Sequence, residues 1–200
     1  MISKLSRAGF NARVNGIVLP DTEVVNRDDC DDVRGPQVIV PSAVRELGAE
    51  LFEGCVGLQN LTFCEGSRLE KIGSDCFRGS GLVEITTPAT VRCICSGAFH
   101  GCKSLKRVEL NEGLEVLGEC AQLFSSGVFR DSAVHSVKLP STLKKIGDYS
   151  FCNCKNLRAI ALPEHLETIG DYSFRGTALT EVFIPMCVKT IGEGAFNGCW

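Results

Sequence analysis

The chain has 200 residues, a formal net charge of −3 at pH 7 and 44% hydrophobic residues. This acidic balance gives no bulk attraction to nucleic acid or to an anionic membrane, so a partner has to be recognised by a local surface. No stretch contains the roughly 18 apolar residues that span a bilayer, and the opening residues lack the apolar core of a signal peptide. We therefore expect no nucleic-acid partner and no membrane insertion.

The first 37 residues are the least regular part of the chain. Ile2, Leu5, Phe10 and Ile17 follow a spacing that recurs throughout the later sequence, with one residue missing after the phenylalanine. A second copy follows in which Cys30 stands where an aromatic residue is expected. We expect residues 1–37 to form degenerate N-terminal repeats and residues 38–200 to form a regular array.

One template recurs from residue 38 to the end of the chain. It consists of an apolar pair three residues apart, a Phe five residues later, a small residue, and an apolar triplet of the form LxxIxL that proline usually follows. The pairs are Val44/Leu47, Leu69/Ile72, Val91/Ile94, Leu114/Leu117, Leu143/Ile146, Leu166/Ile169 and Val188/Ile191, and the aromatic residues are Phe52, Phe77, Phe99, Phe129, Phe151, Phe174 and Phe196. A period of about 20 to 50 residues predicts a solenoid, in which each repeat contacts only its neighbours.

The template also predicts the elements of each repeat. Alternating apolar residues at the end of the triplet are typical of a β-strand, so we expect one parallel strand per repeat. Its central residues are Leu61, Ile85, Val108, Val137, Ile160 and Val182. Acidic and hydroxyl residues before the Phe, such as Asp148 and Asp171, predict a short helical turn. Because connections between parallel strands are almost always right-handed, we expect a right-handed α/β solenoid with a repeat of about 22 to 24 residues.

Three irregularities interrupt this pattern. The spacing from the apolar pair to the Phe rises from five residues to twelve between Leu117 and Phe129, which predicts an insertion near residues 119–126. The spacing from the Phe to the triplet alternates between six and five residues, which predicts two alternating types of repeat. The last copy stops at Trp200 before its triplet, so we expect the array to end mid-repeat.

Twelve cysteines are a high number for this length. Cys55, Cys102, Cys154 and Cys199 occupy the small position after the Phe, where the other repeats have serine or threonine. A small side chain facing the interior suits this position, so we expect reduced, buried thiols. The Cys93/Cys95 and Cys152/Cys154 pairs lack the CxxC spacing of a zinc site, so we expect no metal and no cofactor. A thiol-based metal or redox module is an alternative that only the cysteine count supports.

The stretch LPSTLKKIGDYSFCNCKNLRAIALPEHLETIGDYSF resembles the BspA-like leucine-rich repeat family, whose unit has the form LPxxLxxIGxxAFxxCxxLxxIx. The resemblance is strong over residues 38–200 and weak over residues 1–37. It implies a leucine-rich repeat array of the surface-antigen and adhesin type, without catalytic activity. It also implies a cell-surface location and protein partners such as extracellular-matrix or host-surface proteins. The family has no fixed functional positions in its repeat, so no site residue is carried over.

In a leucine-rich repeat the residues that flank the inward strand positions face solvent as an ordered grid. On that grid a basic stripe lies beside small and apolar residues, and the candidate partner-binding residues are Lys106, Arg107, His135, Lys138, Arg158, Ala161 and Phe183. Phe183 is a large apolar residue at an outward position, which is typical of an interface.

No histidine stands at a catalytic motif spacing from a serine or cysteine, so we expect a non-enzymatic scaffold with no catalytic residue. The first hypothesis is that this scaffold binds a protein through its strand face. The alternative is a structural spacer within a longer multidomain protein.

Overall fold

Parallel pairing between short strands of successive repeats organises the chain. The computed structural model describes residues 16–29, 35–118 and 127–199. Three predicted features lie outside the described residues, namely the first copy of the template around Phe10, the Cys30 position, and the insertion at residues 119–126. The right-handed sense of the coil and the division at residue 38 stay predictions.

Fourteen strands are formed within the described residues, and every pair among them is parallel. They are β1 (Ile17–Val18), β2 (Val24–Val25), β3 (Gln37–Val40), β4 (Glu46–Leu47), β5 (Asn60–Phe63), β6 (Lys71–Ile72), β7 (Glu84–Thr86), β8 (Cys93–Ile94), β9 (Arg107–Glu109), β10 (Val116–Leu117), β11 (Ser136–Lys138), β12 (Lys145–Ile146), β13 (Thr168–Ile169) and β14 (Thr190–Ile191).

The longest sheet lies where the sequence predicts no strand. Its eight strands run in the order β2, β4, β6, β8, β10, β12, β13, β14, and each contains only two residues. In β4, β6, β8, β10, β12 and β13 the second residue is the second member of the template's apolar pair and is fully buried. The LxxI spacing of three conceals these strands because it lacks the alternation that marks a strand in a sequence.

The opposite face carries the strands that the triplet predicts. One sheet contains β1, β3 and β5, and a second contains β7, β9 and β11. The prediction fails in the last two repeats, where residues 157–162 and 179–184 form no strand ladder. Ile160 and Leu179 still pack into the core there. Burial of the triplet therefore does not require ladder hydrogen bonds.

The predicted helical turns, and with them the α/β class, are wrong. Within the described residues the only helical element is a single 3-10 turn at Arg27–Asp29, and the segments around each Phe are turns. Two left-handed residues flank the aromatic residue; around Phe151 they are Tyr149 at φ 55° and Asn153 at φ 59°. A right-handed helix cannot continue through left-handed residues, so the chain forms a β-solenoid.

The acidic residues before each Phe have a different role from the predicted one. Asp148 Oδ1 accepts a hydrogen bond from the backbone N–H of Asp171 at 2.9 Å, and Asp171 Oδ1 accepts one from Glu193 N–H at 2.7 Å. These carboxylates therefore join successive repeats and do not cap helices. The preceding glycine makes room for them, because a Cβ at Gly170 or Gly192 would overlap the carboxylate of the previous repeat.

A continuous stack of phenylalanine rings forms the centre of the core. Ring centroids of successive repeats, from Phe52 to Phe196, lie 5.1 to 5.4 Å apart, and the ring planes are within 20° of parallel. The first six rings are completely buried. Each ring therefore spans the distance between neighbouring repeats and contacts the ring on either side.

The small position after the Phe forms a second line of contacts. The Cys154 thiol donates to the carbonyl oxygen of Phe129 at 3.0 Å and lies 3.5 Å from the Ser132 hydroxyl. Cys102 makes the same contacts with the preceding repeat, to Phe77 at 3.0 Å and Ser80 at 3.5 Å. Because the two repeat types alternate, each of these thiols lies next to the serine hydroxyl of the preceding repeat.

Nine of the described cysteines are free thiols. Cys93 is disulfide-bonded, so the expectation of reduced cysteines is wrong at that position. Burial raises the pKa of the Cys102 thiol and raises that of Cys154 to about 12. Cys102 and Cys154 therefore stay protonated at neutral pH and serve as compact core residues.

We expect Phe151→Ala to destabilise the protein by about 3 to 5 kcal/mol, because it leaves an aromatic cavity in a core one ring wide. Phe183→Ala is the matched control, since that ring is exposed and its loss should change the free energy of unfolding little. Urea unfolding and amide hydrogen exchange measure both effects. Loss of exchange protection should concentrate in the neighbouring repeats. A uniform loss along the chain would contradict nearest-neighbour packing.

Cys154 should also make stability depend on alkaline pH. The unfolded thiol ionises near its ordinary pKa of 9.0, whereas the folded thiol stays neutral up to about 12, so the free energy of unfolding should fall as pH rises through this range. Urea unfolding at about pH 8 and about pH 10.5 should show a larger loss for wild type than for Cys154→Ser. Equal losses would show that this thiol does not contribute to the pH dependence of stability, since all other groups titrate in both proteins.

Candidate protein-binding face

The strand face is the surface formed by the outward residues of β5, β7, β9 and β11 and of the equivalent segments 159–161 and 181–183. All seven candidate residues are exposed on it. Lys106 and Arg107 lie at β9, His135 and Lys138 at β11, and Arg158, Ala161 and Phe183 in the next two repeats. The stacking of the repeats therefore brings the predicted residues to one side of the molecule.

Two of the predicted cations have acidic partners on the neighbouring strand. Arg107 Nη1 lies 3.8 Å from Glu84 Oε2. Lys138 Nζ donates a hydrogen bond to Glu109 Oε1, and that bond raises the pKa of Lys138 above its ordinary value. These pairs follow from the strand register, which places Arg107 beside Glu84 and Lys138 beside Glu109. The basic stripe is therefore partly neutralised.

The other three cationic residues occupy the same position of successive repeats. The backbone N–H of His135 donates to the carbonyl oxygen of Lys106 at 2.9 Å, which places these residues side by side, and Arg158 follows at the equivalent position of the next repeat. Within the described residues, none of the three side chains is paired with a carboxylate. Lys106, His135 and Arg158 therefore form a cationic row that is open to a partner.

An apolar patch lies at the C-terminal end of the same face. The Phe183 side chain is 81% exposed, and Met186, three residues further on, is 99% exposed. Ala161 is exposed at the equivalent position of the preceding repeat. Sequence reasoning missed Met186, although it stands directly after the template proline, where other repeats have Glu164 or Ser141.

The turns around the phenylalanines carry a polar cluster on another side of the molecule. His100 Nε2 lies 3.4 Å from Asp131 Oδ2, and Asn153 donates to Asp131 Oδ1 at 3.0 Å. Burial lowers the pKa of His100, and Arg78 lowers it further. Burial opposes ionisation of Asp131, yet the Asn153 hydrogen bond and Arg130 hold its pKa below the ordinary value. No serine, threonine or cysteine among the described residues bonds to either side chain, so the pair lacks a nucleophile to activate.

The same turns also carry an aromatic pair. Tyr149 and Tyr172 stack at 5.3 Å, and the guanidinium groups of Arg130 and Arg175 lie 5.5 Å from the ring centres. The Tyr172 hydroxyl donates to Glu193 Oε1 at 2.5 Å, which raises the pKa of Tyr172. These side chains contact one another across successive repeats, so the tyrosine pair helps to hold neighbouring repeats together.

Among the described residues, no three His, Cys, Asp or Glu side chains converge in an arrangement that could hold a metal ion. No helix in this part of the chain is long and apolar enough to cross a bilayer.

Solved structures similar to this chain are bacterial leucine-rich repeat proteins. A leucine-rich repeat protein of T. pallidum is 29% identical with a TM-score of 0.70, and the match covers 91% of this chain and 84% of that one. A leucine-rich cell-surface protein of Faecalibacterium prausnitzii is 24% identical with a TM-score of 0.58, covering 93% of this chain and 45% of that one. A leucine-rich repeat protein of Eubacterium ventriosum is 18% identical with a TM-score of 0.56, covering 90% and 60%. The last two, below 25% identity, show the fold alone.

The repeat itself matches a family model. The model of the BspA type leucine-rich repeat region, with six copies, matches residues 31–126 and 122–200. No curated protein sequence matches the chain. With the model covering most of its length, the chain belongs to the BspA-type leucine-rich repeat family, whose arrays are generally non-enzymatic scaffolds for protein binding or adhesion.

Proposed function

We propose that this array binds a protein partner through its strand face. The observation that carries the proposal is the exposure of Phe183, whose ring is 81% accessible at a position that regular packing turns away from the core. Met186 and Ala161 extend this apolar contact, and the row of Lys106, His135 and Arg158 lies beside it. Aromatic residues at the centre of a contact supply much of the binding energy, whereas charged residues around it mainly steer association.

The charges of the face indicate the kind of partner. Arg107 and Lys138 are paired with Glu84 and Glu109, so among the described residues of this face the unpaired positive charge lies on Lys106 and Arg158. A partner that fits this face carries an apolar group opposite Phe183 and carboxylates opposite the cationic row. We propose matrix or host-surface proteins as the partner class and the cell surface as the location, as the match to the BspA type of leucine-rich repeat implies.

A structural spacer is the second candidate function. Ion pairs between successive repeats favour it, such as Lys144 with Glu115 at 2.9 Å and Lys189 with Glu167 at 2.7 Å. Together with the ring stack, such contacts make a stiff rod. Each exposed pair contributes little by itself, so the rod's stiffness depends mainly on the buried stack.

We expect Phe183→Ser to abolish capture of the partner. Purified chain immobilised under reducing conditions is exposed to solubilised surface proteins of host cells, and a captured protein is then purified and titrated. Loss of an aromatic anchor should weaken its affinity at least about tenfold. Val56→Ser is the matched control, because Val56 is also exposed, at 78%, but belongs to an earlier repeat. Equal capture by both variants would exclude the apolar patch, and no capture by wild type would favour the spacer.

The cationic row should act mainly on association. Replacing Lys106 and Arg158 with serine should slow association with the captured protein and reduce its dependence on salt, while dissociation changes less. Stopped-flow binding at two ionic strengths measures both rates. Replacing Arg107 with serine is the control, because Glu84 already compensates its charge. An effect of the control as large as that of the double variant would contradict the assignment of the row.

A further inference from the structure

The strand face is interrupted between β5 and β7. β5 is the last strand of one three-stranded sheet and β7 the first strand of the other, and no ladder joins them. Across the core the same repeats stay paired without a break through β4, β6 and β8. The interruption is therefore a local opening of one face, which we call the notch, and not a gap between two parts of the solenoid.

The sequence around β5 explains the opening. Five residues separate Phe63 from Leu69, whereas three separate Leu139 from Leu143 at the same place in a regular repeat. The longer turn contains Gly66 in a left-handed conformation. On the other side of the notch Thr87 bonds away from β5, since its N–H donates to the carbonyl oxygen of Glu109 at 2.9 Å.

Backbone hydrogen-bonding groups on both sides of the notch are left open. The N–H of Asn60 donates to the Pro36 carbonyl just before β3, and that of Cys64 donates to the Val40 carbonyl of β3. The direction of bonding alternates along a strand, so the amides of Leu61 and Phe63 face the notch. By the same alternation Glu84 and Thr86 of β7 face it from the other side. Within the described residues, no strand ladder joins the first two to the last two. A bond from Val83 N–H to the Gln59 carbonyl at 3.0 Å closes one end of the notch, and a bond from the Thr90 hydroxyl to the Ser67 carbonyl at 3.4 Å lies at the other.

Leu61 and Phe63 make one wall of the notch apolar, and the other lining residues are uncharged apart from Glu84. Leu61 and Phe63 occupy inward positions of the template but are only half-buried, whereas Ile85 and Val108 at equivalent positions are buried. The open volume is about 780 Å³. Glu84 is the only charged residue among those that line it. Arg107 lies 3.8 Å from Glu84 and partly offsets its charge, so the notch offers little net charge to a ligand.

We propose that the notch binds an extended, uncharged peptide segment of a protein partner. The segment pairs its backbone with the open edge of β5 or β7 and places apolar side chains against Leu61 and Phe63, as strand addition to an exposed sheet edge requires. Extended chain is the occupant that supplies alternating N–H and C=O groups at the spacing of a strand. The inference rests on the proposed protein-binding function but assigns a different contact from the Phe183 patch.

The test uses a library of random linear peptides displayed on phage and selected against the 200-residue chain. Enriched peptides are synthesised and titrated, and amide exchange is followed by NMR. In the free protein the amides of Leu61, Phe63, Glu84 and Thr86 should exchange faster than those of the paired strands β9 and β11. Bound peptide should slow these four selectively.

Substitutions at exposed threonines locate the binding site. Thr86→Arg and Thr62→Arg each place a bulky charge in the notch from opposite walls, and both side chains are exposed, so the fold should tolerate them. Each should weaken peptide binding at least about tenfold. Thr190→Arg is the matched control, because it makes the same change at an exposed threonine of β14 in the other sheet, and it should leave binding unchanged.

Three results would overturn the proposal: no peptide is enriched, peptides bind both notch variants as well as wild type, or the four amides stay unprotected. Peptide binding that Phe183→Ser removes and the notch variants retain would also reject the notch, while leaving the proposed strand-face function intact. Conversely, if only the notch variants lose peptide binding, the notch is the binding site. The Phe183 patch is then tested separately by its own capture experiment.

Discussion

The ring stack is the constraint on which the rest of the structure depends. Each phenylalanine from Phe77 to Phe174 is buried between the rings of its two neighbours at 5.1 to 5.4 Å, so the repeats have to follow one another at nearly the distance between hydrogen-bonded strands. That spacing brings the two-residue strands of the long sheet into register, and it places the thiol of Cys154 against the backbone of the Phe129 turn. A repeat that could not supply the ring would lose the aromatic contact and, with it, the geometry of the neighbouring strand pairs.

The turns around the rings show why a chain with short, polar segments adopts no helix here. Six of the seven rings are held between left-handed residues, as Tyr149 and Asn153 hold Phe151, and such residues reverse the chain within a few bonds. The reversal brings backbone groups of successive repeats close enough to bond directly, as from Phe151 N–H to the Ser173 carbonyl at 2.7 Å. A helix would have satisfied these groups internally. The solenoid satisfies them between repeats, which makes every turn part of the long-range structure.

The sequence predicts the ring positions and the inward triplets, because both recur at regular spacings that can be read directly from the sequence. It does not predict the strands at Lys71–Ile72 or Lys145–Ile146, because two residues are too few to show alternation. The left-handed turns did leave a signal, since the second residue after most of the phenylalanines is glycine, as at Gly79 and Gly176. The exposure of Phe183 follows from its outward position. The pairing of Lys138 with Glu109 also follows from the template, because the ladder aligns equivalent positions of the two repeats despite the insertion between them.

Function in such an array has to come from departures from the template, since the repeated residues are used by the core. The two departures on the strand face are the notch and the exposed Phe183 patch, and one structural reason explains why the fold tolerates both. The Phe52, Phe77 and Phe99 rings stay stacked at 5.1 and 5.2 Å beneath the notch, and β4, β6 and β8 stay paired behind it. Because these two lines of contact hold the repeats together, the ladder between β5 and β7 can open without separating them. The same redundancy lets the last repeats present Phe183 and Met186 on segments that form no ladder. An array held mainly by its core and its long sheet is thereby left with one face whose backbone and side chains are available to a partner.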